Sequence, residues 1–161
     1  SQYVTGDPRF TSVKKGTKNI VYLWARKEFQ NISKCYDCGI SVVKPRHVSK
    51  NILIMDFEGN DGKPENTLLE SEIEENDYRQ SISLIADLYK KAKLVHGDFS
   101  EYNIFKTKTG LKVFDLGSAV DTTHPNTIDF LKRDINNITN FFVKRGLTVE
   151  NPADILERIT K

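Results

Sequence analysis

Two apolar segments that each run into an aspartate, with an asparagine between them, constrain this chain more than any other feature. Leu94-Val95 leads into His96-Gly97-Asp98-Phe99-Ser100-Glu101-Tyr102-Asn103, and Leu111-Lys112-Val113-Phe114 ends at Asp115-Leu116-Gly117. Asp and Asn are ordinary loop residues, because their side chains bond nearby backbone. Any one of them alone reads as a turn former. Three at this spacing, each at the edge of a strand-like run, read as a phosphate-and-metal site. Asp98 can orient or deprotonate a hydroxyl. Asn103 and Asp115 offer hard oxygens of the kind that Mg²⁺ takes alongside substrate phosphates.

Length and composition set the frame for that site. The 161 residues suit one ordinary domain. With 38% hydrophobic and 29% charged residues the chain reads as globular. A net charge of +2 argues neither for nor against a nucleic-acid partner. No apolar run approaches membrane-spanning length, so no membrane association is expected. The N-terminal Ser1-Gln2-Tyr3-Val4 carries no signal-peptide pattern. Cys35 and Cys38 form C-x-x-C. A redox pair or half of a zinc site is conceivable, but no second Cys or His pair stands at ligand spacing. Two reduced thiols on a helix are the better reading, and a cytoplasmic location fits them.

The periodicity predicts a helix from about Lys18 to Cys38, with Ile20, Leu23, Trp24, Phe29, Ile32 and Tyr36 on its apolar face and Gly39 as its stop. Trp24 is expected in the core or packed between lobes. Short strands are predicted over Ile40–Pro45 and Asn51–Phe57, with a turn at Pro45–Lys50 that contains His47. Gly59 to Pro64 reads as loop, and Glu70 to Asp77 as an acidic, partly solvated segment. A helix over Tyr78–Lys93 delivers the chain to the Asp98 loop. Another is expected from about Asn126 to Val143, with Ile128, Leu131, Ile135, Ile138, Phe141 and Phe142 as its core stripe. The last begins at Pro152 with Asn151 as its cap. His96 is expected to brace the loop from below, and His124 to be a structural turn residue.

The order H-x-D-x-x-x-x-N followed by D-x-G is that of the catalytic and metal loops of the protein-kinase-like fold. Nearly end to end, the chain resembles the RIO kinases, most closely the first RIO subfamily. The resemblance includes Tyr3-Val4-Thr5-Gly6 with Arg9-Phe10, Trp24-Ala25-Arg26-Lys27-Glu28, Ile52 to Phe57, Leu94 to Asn103, and His124-Pro125 leading to Phe130-Leu131 and Asp134. It implies an α+β, protein-kinase-like fold. The helical large lobe, residues 59–161, is expected to be complete. Residues 1–58 would supply only the helix and last strands of the small lobe, with the hinge.

The resemblance also implies roles. Asp98 would be the catalytic aspartate, and Asn103 and Asp115 would hold the metal. Asp115 is also where the family is thought to form an aspartyl-phosphate. Met55 would guard the back of the adenine pocket. Asp56, Phe57 and Glu58 would form the hinge that bonds the adenine edge. Glu28 would pair with a phosphate-binding lysine. The implied ligands are ATP and Mg²⁺, with Mn²⁺ as a possible substitute. The implied partner is the pre-ribosomal small subunit, its rRNA and proteins.

Two departures stand out. No Gly-rich phosphate loop and no strand lysine precede Glu28, since Lys14 and Lys15 lie in a loop and Lys27 on the helix itself. The chain therefore reads as a fragment that begins after that lysine, or as a homologue that never had those strands. The metal loop reads Asp115-Leu116-Gly117, nearer to D-F-G than to the usual form of this subfamily. Gly97 stands where H-R-D enzymes carry arginine, and no long activation segment follows Gly117. Three readings follow: an ATP-dependent Ser/Thr kinase or ATPase, a catalytically incomplete assembly module, or a small-molecule phosphotransferase with the same H-G-D loop.

Overall fold

The computed structural model describes residues 2–4, 18–50, 52–56, 59–60 and 62–161. In chain order they form β1 (Gln2–Val4), α1 (Lys18–Asp37), β2 (Pro45–Ser49), β3 (Ile52–Met55), β4 (Gly59–Asn60), β5 (Lys63–Pro64), a 3₁₀ turn (Leu68–Glu70), α2 (Glu75–Lys90), β6 (Leu94–Val95), β7 (Ile104–Thr107), β8 (Gly110–Val113), β9 (Val120–Asp121), α3 (Thr127–Lys144) and α4 (Pro152–Thr160). The fold is α+β. A three-stranded antiparallel sheet, ordered β1-β3-β2, packs on α1, while α2, α3 and α4 pack on one another beside the β6–β9 and β7–β8 pairs. One continuous apolar core runs from Ile32 and Cys35 of α1 through Leu53 and Met55 to Phe142 and Ile159. No helix among the described residues is long and apolar enough to cross a membrane.

α1 ends where its glycine stop predicts: Gly39 takes φ 77°, and its N–H donates to Tyr36 O at 3.0 Å. Its buried face is the expected one only in part, at Phe29 and Ile32. Ala25, Ile32 and Cys35 are buried with Phe29 and Cys38 packed against them, whereas Leu23, Trp24 and Tyr36 are 63%, 50% and 42% exposed. Ile20 lies outside the residues whose side chains are described. The true stripe still has helical spacing but is rotated. Periodicity allows both stripes, and the packing partner selects one. Both cysteines are free thiols, and burial pushes the Cys35 thiol up to about 12. That keeps it protonated and unreactive.

Several boundaries differ from expectation. Ile40–Pro45 is not a ladder strand and Pro45–Ser49 is not a turn: β2 occupies the latter, pairs antiparallel with β3, and carries His47 opposite Ile54. Of the predicted turn only Lys50, just after β2, is a turn residue, at φ 55°. Val42 and Val43 are buried consecutively and bond across to β8, Val43 N–H to Val113 O at 3.1 Å and Val113 N–H to Ser41 O at 3.0 Å. Their apolar character reflects a crossing through the core between two sheets, which a local propensity cannot distinguish from a strand. Gly59 to Pro64 holds a two-residue β pair rather than loop alone. Phe57, at the end of the second predicted strand, lies outside the described residues.

α2 starts at Glu75, three residues before the predicted start, because the acidic segment caps it: Asp77 Oδ2 accepts from Glu74 N–H at 2.8 Å. α2 ends at Lys90, and Lys93 turns the chain at φ 56° into β6. α3 keeps its predicted stripe except at Ile128, which is 41% exposed in the first turn. α4 is capped as expected, Asn151 Oδ1 accepting from Ala153 N–H at 3.0 Å. Asn151→Ala should remove about 1 kcal/mol and lower Tm by about 2–4 °C in a thermal melt.

Candidate active site

β6 and α3 set the first wall of the site. Leu94 and Val95 pair with Asp121 and Val120, and the chain then turns through His96-Gly97-Asp98. Gly97 has φ 83°, and a Cβ there would lie 3.0 Å from Ser118 O, so no side chain fits. The backbone around Asp98 is held at almost every polar atom. Asp134 Oδ2 accepts from Gly97 N–H at 2.8 Å and its Oδ1 from Phe99 N–H at 3.1 Å. Asp98 N–H donates to His96 Nδ1 at 3.2 Å, and Asp98 O accepts from Asn103 Nδ2 at 2.6 Å. Arg133 Nη2 donates to Gly97 O.

These bonds assign protonation states. His96 is 1% exposed, and burial holds its imidazole below the usual histidine range. The neutral ring accepts on Nδ1, so its proton is assigned to Nε2, which faces Phe114 O at 3.4 Å. His96 braces the loop from inside, and the charges of Asp98 and Asp115 both act on it. Burial pushes the Asp134 carboxyl up to about 6, opposed by the two amide bonds and by Arg133.

The β7–β8 hairpin forms the second wall. It holds Asn103 just before β7 and Asp115 two residues after β8, and Phe114 N–H donates to Asn103 O at 3.0 Å. The amide of Asn103 is 8% exposed and spends its N–H on Asp98 O, leaving the side-chain oxygen for an outside partner. Asp115 takes φ 60°, a conformation Asp tolerates better than most residues and one common at functional sites. Asp98 itself is exposed.

α1 closes the third side. Asn31 Nδ2 donates to Leu116 O at 3.0 Å. A Cβ at Gly117 would meet Glu28 Oε2 at 3.7 Å and Asp115 Oδ1 at 3.8 Å, so both carboxylates border the same glycine. Glu28 and Asp115 thus border one glycine, and Asn103 is bonded to the backbone of Asp98 and of Phe114, the residue before Asp115. Met55, 7% exposed at the end of β3, packs in the core. Asp56 bonds Arg46, Oδ1 to Nε at 2.5 Å and Oδ2 to Nη2 at 3.0 Å, and its N–H donates to Lys44 O at 2.8 Å. The Arg46 guanidinium holds the Asp56 carboxyl below the usual carboxylate range. Phe57 and Glu58 lie outside the described residues.

The donor set suits a hard cation bound jointly with phosphates. Among the described residues no three His, Cys, Asp or Glu groups converge to hold a metal by themselves. The oxygens of Asn103 and Asp115 would supply one or two positions and phosphate oxygens others, which is the habit of Mg²⁺. A cleft of about 390 Å³, lined by Lys27, Lys34, Asp121 and His124 among others, shares Asn31 with this site but contains none of Asp98, Asn103, Asp115 and Glu28.

Sequence reasoning missed Asn31 and Arg133, and had Asp134 only as part of a family pattern. A signal existed for Asp134. It sits among Leu131, Ile135 and Ile138 on the buried stripe of α3, where an unpaired carboxylate would be costly. Asn31 lies three residues after Glu28, on the same helix face.

Comparisons with known proteins bear on the family and the fold. The RIO domain family profile matches residues 1–155. The chain is 38% identical over 161 residues to the RIO-type serine/threonine-protein kinase Rio1 of Thermoplasma acidophilum, covering 99% of this chain and 84% of that one. It is 33% identical over 164 residues to the serine/threonine-protein kinase RIO1 of Caenorhabditis elegans, covering 98% of this chain and 32% of the relative. Among solved structures, the Rio2 kinase–ADP/Mg²⁺-phosphoaspartate complex from Chaetomium thermophilum superposes with a TM-score of 0.73 at 24% identity, over 94% of this chain and 49% of that chain. The fold is therefore protein-kinase-like. The chain spans about a third of the nematode relative and half of the Chaetomium chain.

Proposed function

Since the chain belongs to the RIO domain family, we propose that it carries the catalytic and metal loops of an ATP-dependent serine/threonine kinase or ATPase that works with Mg²⁺, or with Mn²⁺ in its place. The observation that carries this reading is the bonding of Asn103 to both loops at once: its amide to the carbonyl of Asp98, its own carbonyl to Phe114 beside Asp115. Phosphoryl transfer needs little covalent chemistry from a protein, so catalysis is positioning plus neutralisation of charge.

A bound cation would supply neutralisation of the charge on the phosphates. Asn103 and Asp115 would hold it. Asp98 would orient the acceptor hydroxyl and take its proton. For transfer to water, Asp115 would act as the first acceptor; the Chaetomium relative is described as a phosphoaspartate complex. Glu28 would tie α1 to a phosphate-binding lysine. Met55 would wall the adenine pocket, and Asp56, Phe57 and Glu58 would form the hinge. Residues 1–58 would belong to the small lobe and 59–161 to the large one. Maturation of the pre-ribosomal small subunit in the cytoplasm is the role and place that the family resemblance supports.

Titration calorimetry with ATP and Mg²⁺, on the chain and on a polypeptide extended upstream of Ser1, tests this reading. The extended form should bind ATP in a Mg²⁺-dependent way, and the 161 residues alone more weakly. Absence of binding by the extended form would replace an enzyme with an assembly module. Aminoglycosides and small alcohols, offered as acceptors, test the small-molecule alternative.

A further inference from the structure

The Gly97–Asp98 peptide is the most sensitive joint of the candidate site. Asp98 has an exposed side chain, and its direction follows from the backbone that carries it. Glycine is the residue that fits before it without strain, given φ 83° and the 3.0 Å approach to Ser118 O. Glycine rotates more freely than any other residue. An unrestrained Gly97 would let the following peptide swing, and the Asp98 carboxylate with it.

Two consecutive residues of α3 restrain that freedom. Asp134 takes the N–H groups that flank the joint, those of Gly97 and Phe99. Within the peptide itself, His96 Nδ1 takes the Asp98 N–H and Arg133 takes the Gly97 carbonyl. Its guanidinium lies 5.0 Å from the ring centroid of Phe130, one turn earlier on α3, so an aromatic face supports the plane of the clamp. Phe130 in turn faces the His124 ring at 5.7 Å. A lysine could reach the same carbonyl with one donor, but without the flat stack on Phe130.

We infer that Arg133 is a positioning residue for the reaction: its guanidinium, resting on Phe130, locks the Gly97 carbonyl and thereby the direction of the Asp98 carboxylate. The inference rests on the reading of Asp98 as the group that orients the acceptor. Losing the clamp should leave nucleotide binding intact, since Arg133 touches neither Asn103 nor Asp115, and should slow the transfer step. A displacement on the order of an ångström at a reacting group costs up to about a hundredfold in rate.

The test compares Arg133→Met and Arg133→Lys in the upstream-extended polypeptide. Arg133→Met should lower kcat about ten- to hundredfold with KM for ATP unchanged, and Arg133→Lys should restore part of the loss. A wild-type kcat in Arg133→Met overturns the inference. So does a parallel fall of kcat, ATP affinity and Tm, which marks a structural role only. If Asp115→Asn leaves turnover intact in the same assay, the proposed function fails instead. A second readout needs no turnover. In the ¹⁵N-labelled 161-residue chain, Arg133→Met should shift and broaden the Asp98 and Phe99 amide resonances while the rest of α3 stays in place. Unchanged amides at 98 and 99 overturn the clamp directly.

Discussion

Asp115→Asn should lower Mg²⁺-dependent ATP turnover of the upstream-extended polypeptide about a hundredfold or more, with Tm moved by less than about 2 °C. The substitution suits the site in two respects. Asn has the shape of Asp and shares its tolerance of a left-handed backbone, so the φ of 60° at this position is kept without new strain. What is lost is one formal charge, on a half-buried side chain. A metal ligand weakened in this way also raises the Mg²⁺ concentration needed for half-maximal rate. Wild-type turnover with an unchanged Mg²⁺ requirement would remove Asp115 from the metal site, and the assignment of Asn103 with it.

Asp134→Ala tests the framework that holds the loop. The variant leaves the N–H groups of Gly97 and Phe99 without their acceptor in a site where Asp134 is 1% exposed. Each orphaned buried donor costs about 1–3 kcal/mol, so a loss of about 3 kcal/mol and a Tm lower by about 6–12 °C are expected. The pH dependence has a definite sign. The Asp134 carboxyl is raised from 3.8 to about 6 in the folded state. Between those values the folded chain holds more protons than the unfolded one, so this group's contribution to stability falls as pH rises through the window. Asp134→Ala lacks that term. The penalty of the substitution should therefore be larger at pH 5 than at pH 7.5, as chemical denaturation at the two values would measure. A penalty that grew with pH would mean that the carboxylate is stabilised, not strained, by its surroundings.

Much of the candidate site was legible because its residues are local in the chain. Asp98 and Asn103 lie five residues apart, and Asp115 twelve further on, with a hairpin between them whose turn residues and apolar strands are plain. The helices were legible for a similar reason, with Gly39 and Asn151 marking a stop and a start. The misplacements share a cause. Val42 and Val43 look like a strand because they are apolar, but they bond to β8, some seventy residues away. Leu23, Trp24 and Tyr36 look like a core stripe because they are apolar, but the neighbouring elements cover the face of Ala25, Ile32 and Cys35. Apolarity reports that a residue can be buried, not what will bury it.

The sequence by itself determined the identity and order of the oxygen-bearing groups, the elements that carry them, and the family to which the loop belongs. Only the tertiary structure decided how those groups are held. That Asp134 holds the Gly97 and Phe99 amides and Arg133 the Gly97 carbonyl, and that Asn31 ties α1 to the carbonyl of Leu116, depends on contacts between residues 35 to 85 positions apart. Short-range pattern follows from backbone sterics and side-chain polarity, which each residue carries with it. A hydrogen bond across the fold exists only once packing has brought its two halves together.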